Sequence, residues 1–516
     1  MAASNTKTAI YDTFTKGEFG VTLPSKAPSG SWTGQNVVVY RDGAIGPRPG
    51  LFRVPLEGEA YEEGVGVIRG LGFVPTAPDP VMEDSPNTFW WIIGDTVYLA
   101  RVHEDSSPRT VIEADTTLDA SPTRWVRWKE SVRQIDGQAM FTNPDNTDHG
   151  YRLHMTTGVL TDVADMPGGI DLETYKERFV VVDVGPTPRI FYSAPADYNT
   201  WPVENFFDVG SSWPVIGVLE FRDGLCIWTN SGHWLLTGTF PEPTLRRVSE
   251  ALIPQPRTLT GTNEDIFYIP NNRSAPISYT GSSGDEEVLG HLEEWKSGFG
   301  VQATGTMAYG NRDISFCSDE GTLLWRKNLS WSQHTFDPAL AITAPHVRYF
   351  DRNLLLTDGG TEEVPPAFFV LNTGLEGPAR ESHQWARVGD DSDVPVDAWF
   401  SLPDFMAESG EEVRVRRVIV DFTKYDTGAS LDNCITAEVR GIHRFEIPGV
   451  DTAVATWSWE EPLSEATQQG VYDRAVFRMG ESGWAGGYRL TLKNLRGVSI
   501  HRILVDFETQ DARPRS

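Results

Sequence analysis

Apolar and polar residues alternate with a period of two along most of the 516-residue chain, in short runs cut by Gly, Asn, Asp or Pro. That pattern is the signature of half-buried strands joined by hairpins. Phe89 to Ala100 is one such pair, with Gly94-Asp95 between its arms; Val132 to Phe141 turns about Asp136-Gly137, and Arg178 to Ser193 makes a third. Gly217 to Trp228 is the clearest, because Asp223-Gly224 offers a residue without Cβ where a type I′ turn needs positive φ. Ser231-Gly232 leads into a further strand, His233 to Leu236. More hairpins begin near Asp265, near Thr306 with a turn at Asn311 to Asp313, and near Val347 with a turn at Asp351 to Asn353.

The hairpins start near residues 89, 131, 178, 217, 265, 306 and 347, a spacing of roughly 40 to 48 residues that matches four-stranded propeller blades. Seven blades fit best, within a range of six to eight. A blade cannot bury both faces alone, so the ring must close, and the strand Asn36 to Tyr40 is placed to close it against the last blade. One amphipathic helix is predicted over Asp285 to Ser297, where Val288, Leu289, Leu292 and Trp295 share a face. Alternation loosens through Glu381 to Asp393 and resumes at Ala398 to Leu402, Val413 to Thr423, Ile435 to Val439, Ala475 to Met479, Tyr488 to Leu492 and Ile500 to Phe507. Six strands of this kind suit a β-sandwich. The expected fold is therefore all-β: an N-terminal arm at 1–30, a β-propeller of about seven blades at 31–390, and a C-terminal β-sandwich at 391–516. The arm carries Tyr11, Phe14 and Phe19, rings suited to docking on a neighbour or folding back.

Composition agrees with this class: Gly 48 and Pro 34 supply turns, while Trp 17, Phe 25 and Tyr 15 supply large strand residues. The formal charge of −28 works against broad attachment to phosphate backbones or anionic lipid. Cys226, Cys317 and Cys434 are few, odd in number and set in apolar runs, so buried thiols are expected and no disulfide framework. The N-terminus has no apolar signal region and no run reaches the roughly 18 apolar residues of a membrane span, which predicts cytoplasmic synthesis and no membrane insertion.

The clusters that could carry chemistry read instead as structure. Glu362-Glu363 and Asp390-Asp391-Ser-Asp393 are adjacent carboxylates without the spaced donors and turn glycine of a calcium loop, and read as solvated surface. Gly64-Val-Gly66 to Gly70 misses the dinucleotide spacing by one residue and precedes no amphipathic helix, so a turn or flexible strand is expected. His149 and His154 lack a third spaced ligand and are expected to be structural. Ser318-Asp319-Glu-Gly321 to Trp325 resembles a sialidase Asp-box only loosely, and no GxSxG elbow or activated thiolate occurs. Trp90, Trp91, Trp228, Trp234 and Trp325 sit in strand runs and are assigned to the core, as are the in-phase Trp457 and Trp459. No catalytic residue, metal or cofactor is expected.

One asymmetry stands apart. Arg414, Arg416, Arg417, Arg440, Arg444, Arg478, Arg489, Arg496 and Arg502 crowd the last quarter of an otherwise acidic chain, and suggest a subunit-docking face.

Three stretches carry a family resemblance. Asn36 to Leu51, ending Arg48-Pro49-Gly50-Leu51, resembles the start of propeller-type tail proteins of tailed bacteriophages, including the nozzle (tail tubular protein B) group. Arg178 to Trp201 is similar to the strand, Tyr-Ser, Pro and Trp arrangement in the middle of those propellers, with Trp201 expected to plug a Pro-fixed turn. Gly483 to Val505 is similar to the closing sandwich of phage minor tail proteins. The resemblance implies a structural virion protein made in a host bacterial cytoplasm, a ring-forming nozzle or distal tail component, possible as a hexamer. Its partners would be other tail proteins and passing genomic DNA without specific binding. A host-surface glycan-binding tail protein and a propeller glycoside hydrolase are the alternatives.

Overall fold

A computed structural model describes residues 5–12, 14, 17–18, 31–40, 43–48, 51–75, 87–102, 109–130, 138–146, 148–183, 189–210, 214–249, 253–255, 257–261, 265–271, 276–281, 286–288, 304–307, 314–317, 322–327, 330–336, 348–350, 353–372, 387–388, 392–393, 398–407, 411–424, 435–442, 452–457, 471–479, 483–495 and 498–511. Among these the chain is all-β, with one short helix, Glu59–Glu63.

Seven four-stranded sheets follow one another along the chain as the blades of a propeller. Blade 1 runs Ile68–Pro75, Asn87–Ile93, Thr96–Val102 and Ile112–Glu113. Blade 2 starts at Arg127–Glu130, blade 3 at Asp171–Tyr175, blade 4 at Val215–Phe221 and blade 5 at Thr260–Gly261. Blade 6 starts at Thr304–Met307 and blade 7 at Arg348–Phe350, and the fourth strand of blade 7 is Leu51–Arg53 from the other end of the chain. The ring is closed: first strands lie side by side from blade 1 through blade 4 and from blade 5 through blade 7, and the first strand of blade 7 lies against that of blade 1. Blades 4 and 5 share an apolar cluster containing Trp228, Leu259 and Tyr268.

Aromatic rings fill the wedges, which is why the strands are rich in them. Between blades 1 and 2, Trp90 stacks on Phe141 at 5.2 Å and Phe141 stacks on Tyr151 at 5.4 Å. Trp90, Trp91, Trp228 and Trp325 are all fully buried, as assigned from their strand positions, whereas Trp234 and Trp457, assigned to the core likewise, are only half-buried and Trp459 lies outside the described residues; Trp201 is buried with its Nε1 donating to the Tyr198 carbonyl at 2.9 Å. Cys226 and Cys317 are buried; Cys434 lies outside the described residues.

The sandwich has two sheets around one apolar core. The six-stranded sheet contains Asn5–Tyr11, Val37–Val39, Ile45–Pro47, Glu411–Lys424, Val471–Arg478 and Val498–Asp511. The seven-stranded sheet contains Gly17–Glu18, Ser31–Gln35, Trp399–Ser401, Phe405–Met406, Ile435–Ile442, Thr452–Trp457 and Gly487–Lys493. Phe14, Trp32, Val418, Phe422, Leu490 and Val505 are among the residues between them.

Several sequence-based expectations need correcting. The segment 1–30 is not an arm alone: Asn5–Tyr11 pairs antiparallel along Val498–Asp511, and Phe14 is in the sandwich core. Val37–Val39 pairs with Ile45–Pro47 in the sandwich, so the strand that completes blade 7 is Leu51–Arg53, and Val54 then donates to the Phe368 carbonyl at 2.8 Å. The compact units accordingly comprise residues 1–52, 322–336 and 371–516, and residues 53–321 and 337–370, not segments divided at 30 and 390. Glu286–Val288 is a strand paired with Ile277–Tyr279 where a helix was expected; the rest of that predicted helix lies outside the described residues. The hairpin of blade 4 turns one residue earlier than its Asp-Gly suggests: Phe221 pairs with Gly224, and Arg222, at φ 52, takes the left-handed position. The competing demand is packing, because a Cβ at Gly224 would fall 2.8 Å from Leu235 Cδ1.

Candidate docking surface

Strand pairing arranges the late arginines into ordered rows. In the six-stranded sheet, Val413, Val415, Val418, Val420 and Phe422 point into the core, so the intervening side chains lie on the outer face. Register then sets residues from distant parts of the chain side by side. Thr8, Asp506, Arg417 and Arg478 form one row, and Arg502, Asp421 and Arg474 form another. Between them runs an aliphatic row, Ile10, Leu504, Ile419 and Val476. Ile10 is 60% and Val476 51% exposed.

Asp421 anchors the second row. Its side chain is fully buried beneath two guanidiniums: Arg474 Nε donates to Oδ1 at 2.5 Å, and Arg502 donates to Oδ2 from Nε at 2.8 Å and from Nη2 at 2.5 Å. Burial would raise its pKa, but these hydrogen bonds and charges outweigh burial and hold the carboxyl below its ordinary value. In the first row Asp506 accepts from Thr8 Oγ1 at 2.6 Å and from Arg417 Nε, and is likewise held low against its burial. Arg416 Nη2 donates to Glu508 at 2.6 Å. The outer face thus carries six arginines, at 414, 416, 417, 474, 478 and 502, against the carboxylates of Glu412, Asp421, Asp506 and Glu508.

The other candidate arginines divide. Arg489 lies on the seven-stranded sheet and grips Asp404 with two hydrogen bonds, at 2.6 and 3.0 Å. Arg440 is exposed beside Arg489 on the same sheet. Arg444 and Arg496 lie outside the described residues. Arg474, absent from the sequence-based set, is central, and the alternation Tyr472, Arg474, Val476, Arg478 carries the signal that would have placed it on one face.

A second charged network lies on the first strands of the propeller. Asp171 of blade 3 accepts from the Val218 amide of blade 4 at 2.9 Å and lies 3.6 Å from Arg127 Nε of blade 2. Lys129 Nζ is 2.7 Å from Glu173, and Thr174 donates to Glu220 at 3.4 Å. Burial raises Asp171 and Glu220 above the ordinary carboxylate range, Glu173 adding to the rise at Glu220. Burial next to Arg127 and Arg69 pushes the guanidinium of Arg257, stacked 5.1 Å over Trp125, down to about 10. These charges tie neighbouring blades together.

The remaining sequence candidates hold structural places. His149 Nε2 sits 3.3 Å from Asp119 and 3.5 Å from Asp162, while His154 Nδ1 accepts from the Thr157 amide at 3.3 Å. Gly64 ends the short helix and Gly66, at φ 144, precedes the first strand of blade 1, which makes the glycine-rich stretch a turn. Glu362 and Glu363 lie exposed in a loop before Phe368–Asn372. Asp390, Asp391 and residues 318–321 lie outside the described residues. Among the described residues no group of three His, Cys, Asp or Glu side chains is arranged to hold a metal ion.

No family model and no curated protein matches the chain. Among solved structures it is similar to BamB from Moraxella catarrhalis, at 12% identity over 66% of this chain and 95% of that one, with a TM-score of 0.38. It is also similar to U3-55K, at 8% identity over 63% of this chain and 98% of that one, with a TM-score of 0.42.

Proposed function

We propose that the chain is a structural protein of a tailed-bacteriophage virion, a ring-forming nozzle or distal tail component that contributes to the DNA ejection conduit. The observation that carries this reading is the outer face of the six-stranded sheet: an exposed aliphatic row between arginine rows, on a chain whose net charge is −28. Exposed in-register apolar rows on a sheet face favour association, and basic residues on an acidic chain favour a specific acidic counterpart. The bulk of the acidic charge supports a role beside DNA without adhesion, because a surface of like sign repels phosphate. Six copies around an axis suit such a conduit, with the propeller as a rigid block and the sandwich as the element that meets other tail proteins.

Removal of the gene from the phage genome, with complementation in trans, tests the reading. Particles made without the chain should fail to deliver DNA and should recover when it is supplied. Fully infectious particles that lack the chain would contradict it.

A further inference from the structure

We infer that the outer face of the six-stranded sheet docks on a second copy of this chain, head to tail, with the aliphatic row Ile10, Leu504, Ile419 and Val476 at the centre of the contact. The inference rests on the ring-forming reading above and names the surface that builds the ring.

The row is assembled from four separate stretches of the sequence, yet it falls in one line across four adjacent strands. The outer face of the other sheet differs in kind. There the central positions are Thr436, Glu438, Arg440, Arg489, Thr491 and Lys493, and Lys493 is ion-paired with Glu438 at 2.5 Å. The first face is thus apolar along one continuous row, whereas on the second the exposed apolar side chains Val454 and Met406 stand apart on separate flanking strands. Solvent alone gives no reason for an aliphatic row.

Charge selects the occupant. The face holds six arginines against four carboxylates, while the whole chain has 72 acidic against 44 basic residues. A second copy therefore supplies an excess of acidic side chains outside this face. The same face on that copy is basic and would repel it, which argues against a two-fold contact. A contact between unlike surfaces is heterologous, and heterologous contacts generate rings when the rotation closes. Four strands about 4.8 Å apart and five residue pairs along them span roughly 500 Å², so side chains beyond the rows must join to reach the about 800 Å² per partner of a stable interface.

Sedimentation velocity of the full-length chain tests this, across a range of concentrations in low and high salt. Wild type should form a multimer that salt weakens. Ile10→Glu with Val476→Glu should weaken assembly at least about tenfold while leaving the circular dichroism and melting temperature unchanged, since both side chains are largely exposed. Val454→Glu, on the other sheet and 58% exposed, should assemble as wild type does. A wild-type chain that stays monomeric at every concentration, or an Ile10→Glu/Val476→Glu chain that assembles normally, would overturn the inference. So would efficient self-cross-linking of Val476→Cys, the mark of a two-fold contact. Rings present in the tail yet indifferent to the double substitution would remove this inference and keep the tail reading. Assembly through this face by a chain absent from virions would do the reverse.

Discussion

Replacing Asp171 should loosen the propeller at the junction of three blades. Its carboxylate satisfies the Val218 amide at 2.9 Å and its own Leu172 amide at 2.9 Å, and it faces Arg127 at 3.6 Å, with the Asp171 side chain only 5% exposed. A break in register between Val215 and Gly217 brings the Val218 amide to this position, and Gly217 leaves room for it: a Cβ there would lie 3.1 Å from Asp171 Oδ2. Asp171→Ala strands a buried amide, at about 1–3 kcal/mol, and leaves Arg127 without its partner; breaking a buried pair in this way costs about 3–5 kcal/mol in all. Asp171→Asn keeps one acceptor and removes the charge whose burial is unfavourable, so it should cost about 1–2 kcal/mol. Hydrogen exchange read by mass spectrometry on the peptide spanning residues 215–221 isolates the junction, which matters because a two-unit chain has no single unfolding free energy. Protection at Val218 should fall by several hundredfold in the alanine variant. A loss of less than about tenfold, near 1.4 kcal/mol, would show that the carboxylate is not what joins these blades.

Three further outcomes are expected. The turn of blade 3 places both Lys176 (φ 47) and Glu177 (φ 62) in the left-handed region, so Lys176→Asn with Glu177→Gly should raise the stability of that hairpin by about 1–2 kcal/mol, seen as slower exchange at residues 175–182; no change would mean the turn is not strained. Gly72→Ala drives a Cβ to 2.4 Å from Trp90 Nε1 and 2.7 Å from Trp128, and should cost about 1–3 kcal/mol, measured as a lower urea midpoint for the propeller; an unchanged midpoint would contradict the packing. The two units should respond oppositely to acid. Asp421, Asp473 and Asp506 are depressed, so their contribution is present above the ordinary value of 3.8 and is lost as pH falls through their folded values. Asp171 and Glu220 are raised, so their contribution is full below the ordinary values of 3.8 and 4.5 and is lost as pH rises through their folded values. Pepsin digestion across acidic pH should therefore cut the sandwich before the propeller, and the opposite order would refute the assignment.

Much of the propeller was legible because hairpins are local. Gly94-Asp95 does separate Asn87–Ile93 from Thr96–Val102, and the blade period emerges from turns that need no knowledge of distant residues. What failed were pairings that depend on the rest of the chain. Leu51–Arg53 reads no more strand-like than Asn36 to Tyr40, and only the assembled sheets decide that the first closes blade 7 and the second joins the sandwich. Residues 286–288 fit a helical spacing, yet pairing with Ile277–Tyr279 overrides it. For the proposed docking face, the arginine concentration is visible in sequence but its arrangement is not. Arg416, Arg417, Arg489 and Arg502 have intramolecular acid partners, and the row from Ile10 to Val476 exists only through a register joining the first and last strands. The buried tryptophans were readable because strand position and ring size both point inward.

Electron cryomicroscopy of intact virions that encode this chain tests the central claim most directly. A closed ring of copies around the tail channel is expected, each with the outer face of its six-stranded sheet seated against a neighbouring copy. A particle in which the chain is absent, or stands as isolated copies away from the channel, would contradict it.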